Sequence, residues 1–180
     1  MEFNYNLDEN DFLEYQLYSA SKSKNIRVQR RRSLIIVIAI FFLLFVFLYT
    51  STKQFPILPL VGYIILIVIY KFYESYRYEN HYKKYIKENY KDRIGLDSKI
   101  NFEDDQITEE SKMGESKIKY ASIKEINEIK NYYFLKLITG QSLIIPKKEI
   151  INPVEFKSKI NHIISKYGII ENSDLDWKWR

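Results

Sequence analysis

The chain has no cysteine, only two histidines, five glycines and four prolines in 180 residues. The first absence removes disulfides, cysteine nucleophiles and thiolate metal sites together, and it leaves the redox compartment unspecified. His81 and His162 read as surface or half-buried structural residues rather than as metal ligands or general bases. No HExxH, GxSxG or Gly-Lys-Ser/Thr phosphate loop occurs. The chain is therefore not expected to be an enzyme, and no catalytic residue, cofactor or metal is assigned.

A second absence is local. Leu34–Tyr49 and Phe55–Tyr70 contain no charged residue. A helix across Ser33–Thr50 would be roughly 27 Å long, close to the ~30 Å of a bilayer's hydrocarbon core. The two runs predict a pair of membrane spans joined by a tight turn at Ser51–Gln54. Neither span carries an ionisable residue, the usual mark of an ion or proton path, and this weighs against transport. Nor does the first contain GxxxG, Asn, Gln or His to direct helix pairing.

The net charge of +5 is also unevenly placed. From Ile94 onward, 14 Lys and Arg face 14 Asp and Glu, so the excess flanks the apolar runs. Lys24, Arg27, Arg30, Arg31 and Arg32 precede the first; Lys71, Arg77, Lys83, Lys84, Lys87, Lys91 and Arg93 follow the second. A nucleic-acid protein would carry its positive charge on the folded domain, and no nucleic-acid partner is expected. By the positive-inside rule both flanks are cytoplasmic. The expected location is the cell (inner) membrane, with two spans and both termini in the cytoplasm.

Met1–Ser23 does not read as a signal peptide, because it is acid-rich and no small-residue cleavage site follows the apolar run. Phe3 and Tyr5 alternate as in a short strand, and Asp8 is a plausible N-cap for a helix through Phe12, Leu13, Leu17 and Tyr18. That helix is expected to lie on the membrane surface or on the rest of the protein. Beyond the second span the helix is expected to continue to Arg93, with Glu79 and Lys83 at i,i+4. Its dense tyrosines (Tyr73, Tyr76, Tyr78, Tyr82, Tyr85, Tyr90) suit the headgroup zone and a domain surface better than a ligand platform.

After Gly95 the period changes to two. Ile100 and Phe102 alternate, Asp104-Asp105-Gln106 suits a turn, and Met113-Gly114-Glu115 makes another break. The series Ile123, Ile126, Ile129 contains one slip, which calls for a bulge or a short turn after Tyr120. Tyr133, Leu135 and Leu137 alternate up to a hairpin connection at Thr139-Gly140-Gln141. Asn152 as N-cap, Pro153 at N1 and Glu155 at N3 then open a helix, whose apolar stripe is Phe156, Ile160, Ile163, Ile164 and Tyr167. Gly168 ends it. Asp104-Asp105 and Glu109-Glu110 are explained as a turn and a solvated edge more simply than as cation ligands, and Lys147-Lys148 as a solvated helix entry more simply than as an anion site. Trp177 and Trp179 stand in a frayed tail that would suit a bilayer interface.

The expected organisation is an N-terminal strand and helix (1–32), a transmembrane hairpin (33–73), a helical stem (74–94), a small α+β domain (95–170) and a tail (171–180). The order of elements around the hairpin, with I-N-F-E-D-D-Q-I (Ile100–Ile107), I-K-Y-A-S-I-K-E-I (Ile118–Ile126), N-Y-Y-F-L (Asn131–Leu135) and I-I-P-K (Ile144–Lys147), resembles the YcxB-like bacterial membrane proteins. Tyr120, Glu128, Leu135, Pro146 and Lys147 carry the likeness most clearly, while Gln106 stands where a turn glycine is expected. The resemblance implies a membrane-anchored α+β protein: a two-helix hairpin plus a pleckstrin-homology-like antiparallel β-sandwich or open barrel capped by a C-terminal helix. It implies no activity, so no catalytic residue carries over. It also implies that the strand at Phe3 and Tyr5 joins the later sheet.

Three uses fit such a protein. It is expected to be a membrane-tethered binding or regulatory module for a protein partner, with a homo-oligomer as one form of that partner. The alternatives are binding of anionic lipid headgroups through Arg27, Arg30, Arg31, Arg32 and Lys71, or a structural place in a larger membrane complex. The charge balance after Ile94 favours the first.

Overall fold

A computed structural model describes the whole chain, Met1–Arg180. The elements are β1 (Glu2–Tyr5), α1 (Glu9–Lys22), α2 (Lys24–Thr52), α3 (Ile57–Asn89), β2 (Ser98–Phe102), β3 (Gln106–Ser111), β4 (Gly114–Lys119), β5 (Ile123–Ile129), β6 (Tyr132–Leu137), β7 (Ser142–Pro146), α4 (Pro153–Tyr167) and β8 (Ile170–Asp174). They fall into two compact units. One comprises Met1–Tyr15 with Tyr85–Lys178, and the other Gln16–Lys84 with Trp179–Arg180. The first is thus larger than the stretch 95–170 that the change of period marks out.

The first unit holds two four-stranded sheets, ordered β1-β2-β3-β4 and β7-β6-β5-β8. The N-terminal strand joins the first sheet as expected. β1 runs antiparallel to β2, with Phe3 opposite Ile100 and Tyr5 opposite Ser98. Alternation sends Phe3 and Tyr5 inward and leaves Glu2 and Asn4 exposed. Phe3 meets the rings of Phe102 and Phe156 at centroid distances of 6.3 and 6.1 Å. One core, including Ile100, Ile107, Ile126, Leu135, Ile145 and Phe156, draws on both sheets and on α4.

The slip after Tyr120 has two structural causes. A single 3-10 turn occupies Tyr120–Ser122, and the β5–β6 register then shifts between Ile123 and Glu125. Tyr120 is buried and donates its hydroxyl hydrogen bond to the Glu103 carbonyl at 2.8 Å. Gln106 has a negative φ, since Lys53 is the only non-glycine residue with a positive one, and this turn has no need of glycine.

β6 departs from simple alternation, because Tyr132 and Phe134 are buried along with Tyr133 and Leu135. The first half of α1 covers this other face. The Tyr132 hydroxyl donates to Asp11 Oδ1 at 2.7 Å, and Tyr15 packs edge-on to Phe134 with its hydroxyl on Ser142. Asp11 does double duty, since Asp8 and Asp11 cap the start of α1 reciprocally with two 2.8 Å bonds. The expectation that α1 rests on the protein holds for these residues.

α4 begins as its sequence predicts. Asn152 Oδ1 accepts from the Glu155 N–H at 3.2 Å, Pro153 is at N1, and Gly168 closes the helix with φ 65°. The Glu155 carboxylate, however, meets the Asn152 side-chain amide rather than its backbone N–H. β8 replaces the start of the expected tail: Ile170–Asp174 pairs parallel with β5, from Glu125↔Ile170 to Ile129↔Asp174.

The second unit is built on two long antiparallel helices. Ser23 separates α1 from α2 as an extended N-cap, and Lys53 ends α2 in the left-handed region at φ 56°. Phe41 stacks on Tyr63 at 4.9 Å, Phe45 meets Phe55 at 5.5 Å, and the Ser33 and Tyr70 hydroxyls are hydrogen-bonded. α2 has no buried residue, and both α2 and α3 are long and apolar enough to cross a membrane. α3 continues without a break into the stem, to Asn89.

Candidate functional site

Three places on the molecule gather chemistry: the basic end of the helix pair, an ion-pair cluster around Glu128, and the open edge of the first sheet. At the helix end, the five candidate headgroup residues separate into two kinds. Arg27, Arg31, Arg32 and Lys71 are exposed. Arg30 is turned inward. Its Nε donates to Glu74 Oε2 at 3.1 Å and its Nη2 to the Arg180 carbonyl at 2.8 Å. Its guanidinium also lies 4.9 Å from the Trp179 ring and 5.6 Å from Tyr78. Trp179 Nε1 in turn donates to the Ser75 carbonyl.

Glu74 is only 4% exposed, and its Oε1 has no partner, nor has the nearby buried Ser75 hydroxyl. A buried carboxylate needs a cation, and Arg30 supplies it through a planar donor set. Nothing in the local sequence singles out Glu74. Its partner lies 44 positions earlier, and only the antiparallel return of α3 brings the two together.

The second cluster centres on Glu128. Lys147 Nζ donates to its Oε1 at 2.7 Å and Lys157 Nζ to its Oε2 at 2.8 Å, while Lys157 also reaches Glu171 at 2.9 Å. Tyr133 lies beneath both ammonium groups, at 4.7 and 5.8 Å from ring centroid to nitrogen. Burial works to raise the Glu128 pKa, but the hydrogen bonds from Lys147, Lys157 and Tyr133 outweigh it and bring it to about 2. Burial and the neighbouring Glu128 push the Tyr133 hydroxyl up to about 12. Lys157 is raised by its two carboxylates against the opposing effect of burial. These charges compensate one another, so Lys147 is not an open anion site, and the cluster ties β5 to α4 and β8. Lys148 is exposed, 4.0 Å from Glu149. A shallow concavity beside Lys157 is lined by Pro153, Val154, Ser158 and Asn161.

The acidic pairs are engaged individually. Asp105 accepts from Lys166 at 3.1 Å and from Tyr167 at 2.9 Å, and these bonds hold its pKa below the usual carboxylate range. Glu109 accepts from the Tyr5 hydroxyl at 2.7 Å; burial first, then this carboxylate, pushes that phenol well above its ordinary value. Both histidines are exposed.

The sheet edges differ from one another. β7 is buried over four of its five residues, whereas β4 is exposed along nearly its whole length and hydrogen-bonded only to β3. On the outer face of β4, Lys117 pairs with Glu115 at 2.9 Å, and Glu115 stands directly opposite Glu110 of β3. A strand of this kind has backbone donors and acceptors on its free side.

No curated protein matches the chain. The stretch from the end of β2, through the four strands that follow it and β7, to Ile160 in α4 does have a counterpart: residues 102–160 match the model of the family described as YcxB-like protein, and the resemblance is borne out over that stretch.

Proposed function

We propose that this chain is an integral membrane protein in which the α2–α3 hairpin crosses the cell membrane twice, with both termini in the cytoplasm. It holds a pleckstrin-homology-like domain against the inner leaflet as a module that binds a protein segment. The open β4 edge carries this reading: it offers six residues of free strand on a domain whose charges balance. Supporting the anchor, Phe42, Leu43, Phe47 and Leu58 are all more than 60% exposed on the two helices, an apolar surface that water covers only at about 25 cal/mol per Å².

The absence of cysteine makes the test direct. Single cysteines at Lys53 and Lys178 should be labelled by an impermeant reagent from opposite sides of the membrane. A photoreactive residue at Lys117 should then give protein adducts in native membranes. Labelling of both cysteines from one side would end the topology, and an unreactive β4 would end the binding role.

A second reading rests on a separate observation. Arg27, Arg31, Arg32 and Lys71 are exposed beside the apolar surface, with Arg30 otherwise occupied. Each such residue near anionic lipid is worth about 1 kcal/mol. Replacing the four by Gln should abolish any salt-sensitive gain in stability that the full chain shows in anionic over neutral nanodiscs. An undiminished gain would exclude these residues as the headgroup contacts.

A further inference from the structure

We infer that the occupant of the β4 edge is a second copy of this chain, paired antiparallel through Gly114–Lys119 about a two-fold axis at Ser116. The inference rests on the binding role proposed above and names its partner.

Symmetry limits the choices. A two-fold axis that pairs an edge strand antiparallel with its own copy stands perpendicular to the sheet, so each chain's core face stays on the same side. Residues opposite one another must then belong to the same face, which alternates along the strand. On the outer face this leaves Glu115, Lys117 and Lys119 to meet their counterparts.

Charge selects among the registers. Centring the axis on Glu115 sets two carboxylates against each other, and centring it on Lys117 sets two ammonium groups against each other. An axis at Ile118 places Lys117 against Lys119. Centring on Ser116 places Glu115 opposite Lys117 of the copy, twice by symmetry, with no like pair directly opposed. Within one chain Glu115 faces Glu110 of β3, a repulsive neighbour offset by Lys117 on the same strand and by Lys99, which stands opposite Glu110 on β2. The copy's lysine supplies a cation from the free side. Met113 and Gly114 leave the entry to the strand uncluttered, since a Cβ at Gly114 would meet nothing within 4 Å. The result is a continuous sheet of eight strands, with the β1 edges outermost.

A six-residue seam is small for a complex in free solution, and confinement of both chains to one bilayer supplies the effective concentration that it needs. The experiment therefore uses the full chain in membranes. With no native cysteine, Ser116→Cys should form a disulfide between copies on mild oxidation, because residues at the axis lie within the Cα separation that a disulfide spans. Glu115→Cys should react about tenfold more slowly or not at all, since it meets its own copy only diagonally, at roughly 7–8 Å. Charge reversal gives the second readout. Glu115→Lys and Lys117→Glu chains should each lose crosslinking when alone and regain it when mixed, as only the mixed pair opposes unlike charges.

Equal crosslinking at both positions, or reversals without effect, would overturn the register. Crosslinks from β4 solely to another protein would overturn the second copy as occupant while leaving the binding role intact. No adduct of any kind from β4 would overturn both.

Discussion

Phe156 and Phe42 are the same side chain in opposite settings. Phe156 is fully buried among Phe3, Phe102 and Tyr133, and Phe42 is 63% exposed on a helix with no buried residue. The first unit hides its apolar groups from water by folding, so its sequence alternates or repeats at helical spacing. The two apolar runs of the second leave most of theirs outward, so those runs are apolar on every side. Polar groups follow the same division. In the first unit they form dispersed pairs across strands; in the second they concentrate at one end, where Arg30, Glu74, Tyr78, Trp179 and Arg180 meet. The lesson is that similar hydrophobicity is stabilised by different surroundings, and that each unit should fail for a different reason.

The largest contrast is expected from truncation. Deleting residues 1–7 removes Phe3 and Tyr5 from the core and uncovers Ile100 and Phe102. Loss of one buried aromatic costs about 3–5 kcal/mol, so the first unit should lose more than about 5 kcal/mol and become protease-sensitive. Phe42→Ala, by comparison, should shift denaturation in lipid by less than about 1 kcal/mol, because no packed partner is lost. Similar effects from the two changes would dissolve the distinction between the units. For the same reason a fragment starting at Gly95 is a poor substitute for the domain.

Next in size is Arg30→Gln, which leaves the buried Glu74 carboxylate without its cation. Breaking such a pair costs about 3–5 kcal/mol, and thermal unfolding of the helix pair in nanodiscs should move accordingly. The double change Arg30→Gln and Glu74→Gln should recover most of that loss, since no orphaned charge remains. If the single and double variants behave alike, Arg30 acts through its aromatic contacts instead.

The smallest effect is one of pH. Glu128 titrates at about 2 in the folded chain against an ordinary value of 4.5. A depressed carboxylate contributes stability that is complete above the ordinary value and is lost as pH falls towards 2. Allowing for solvent screening, about 1–2 kcal/mol should disappear from the first unit across that window. Glu128→Gln should flatten this portion of the curve. An unchanged slope would locate the acid sensitivity elsewhere.

Much of the fold was readable because single residues report it. Asn152, Pro153 and Gly168 mark both ends of α4, and the slip at Tyr120 marks a real turn and bulge. β8 was not readable: Ile170-Glu-Asn-Ser-Asp has one apolar residue, exposed, and is held by pairing with β5 rather than by burying a face. The candidate sites were less legible than the strands. Sequence grouped Arg30 with its basic neighbours, whereas its role depends on Glu74, and Lys147 paired with Lys148 concealed a bond to Glu128.

Local order and apolar period, taken alone, determined the two long helices, most of the strands and the start of α4, since each follows from forces acting within a few residues. Tertiary structure alone decided that α1 covers the outer face of β6, that β8 closes the second sheet, and that Glu74 and Glu128 find their cations. Those outcomes depend on groups separated by tens of residues, and no periodicity along the chain encodes which charge will lie beside which once the elements have packed.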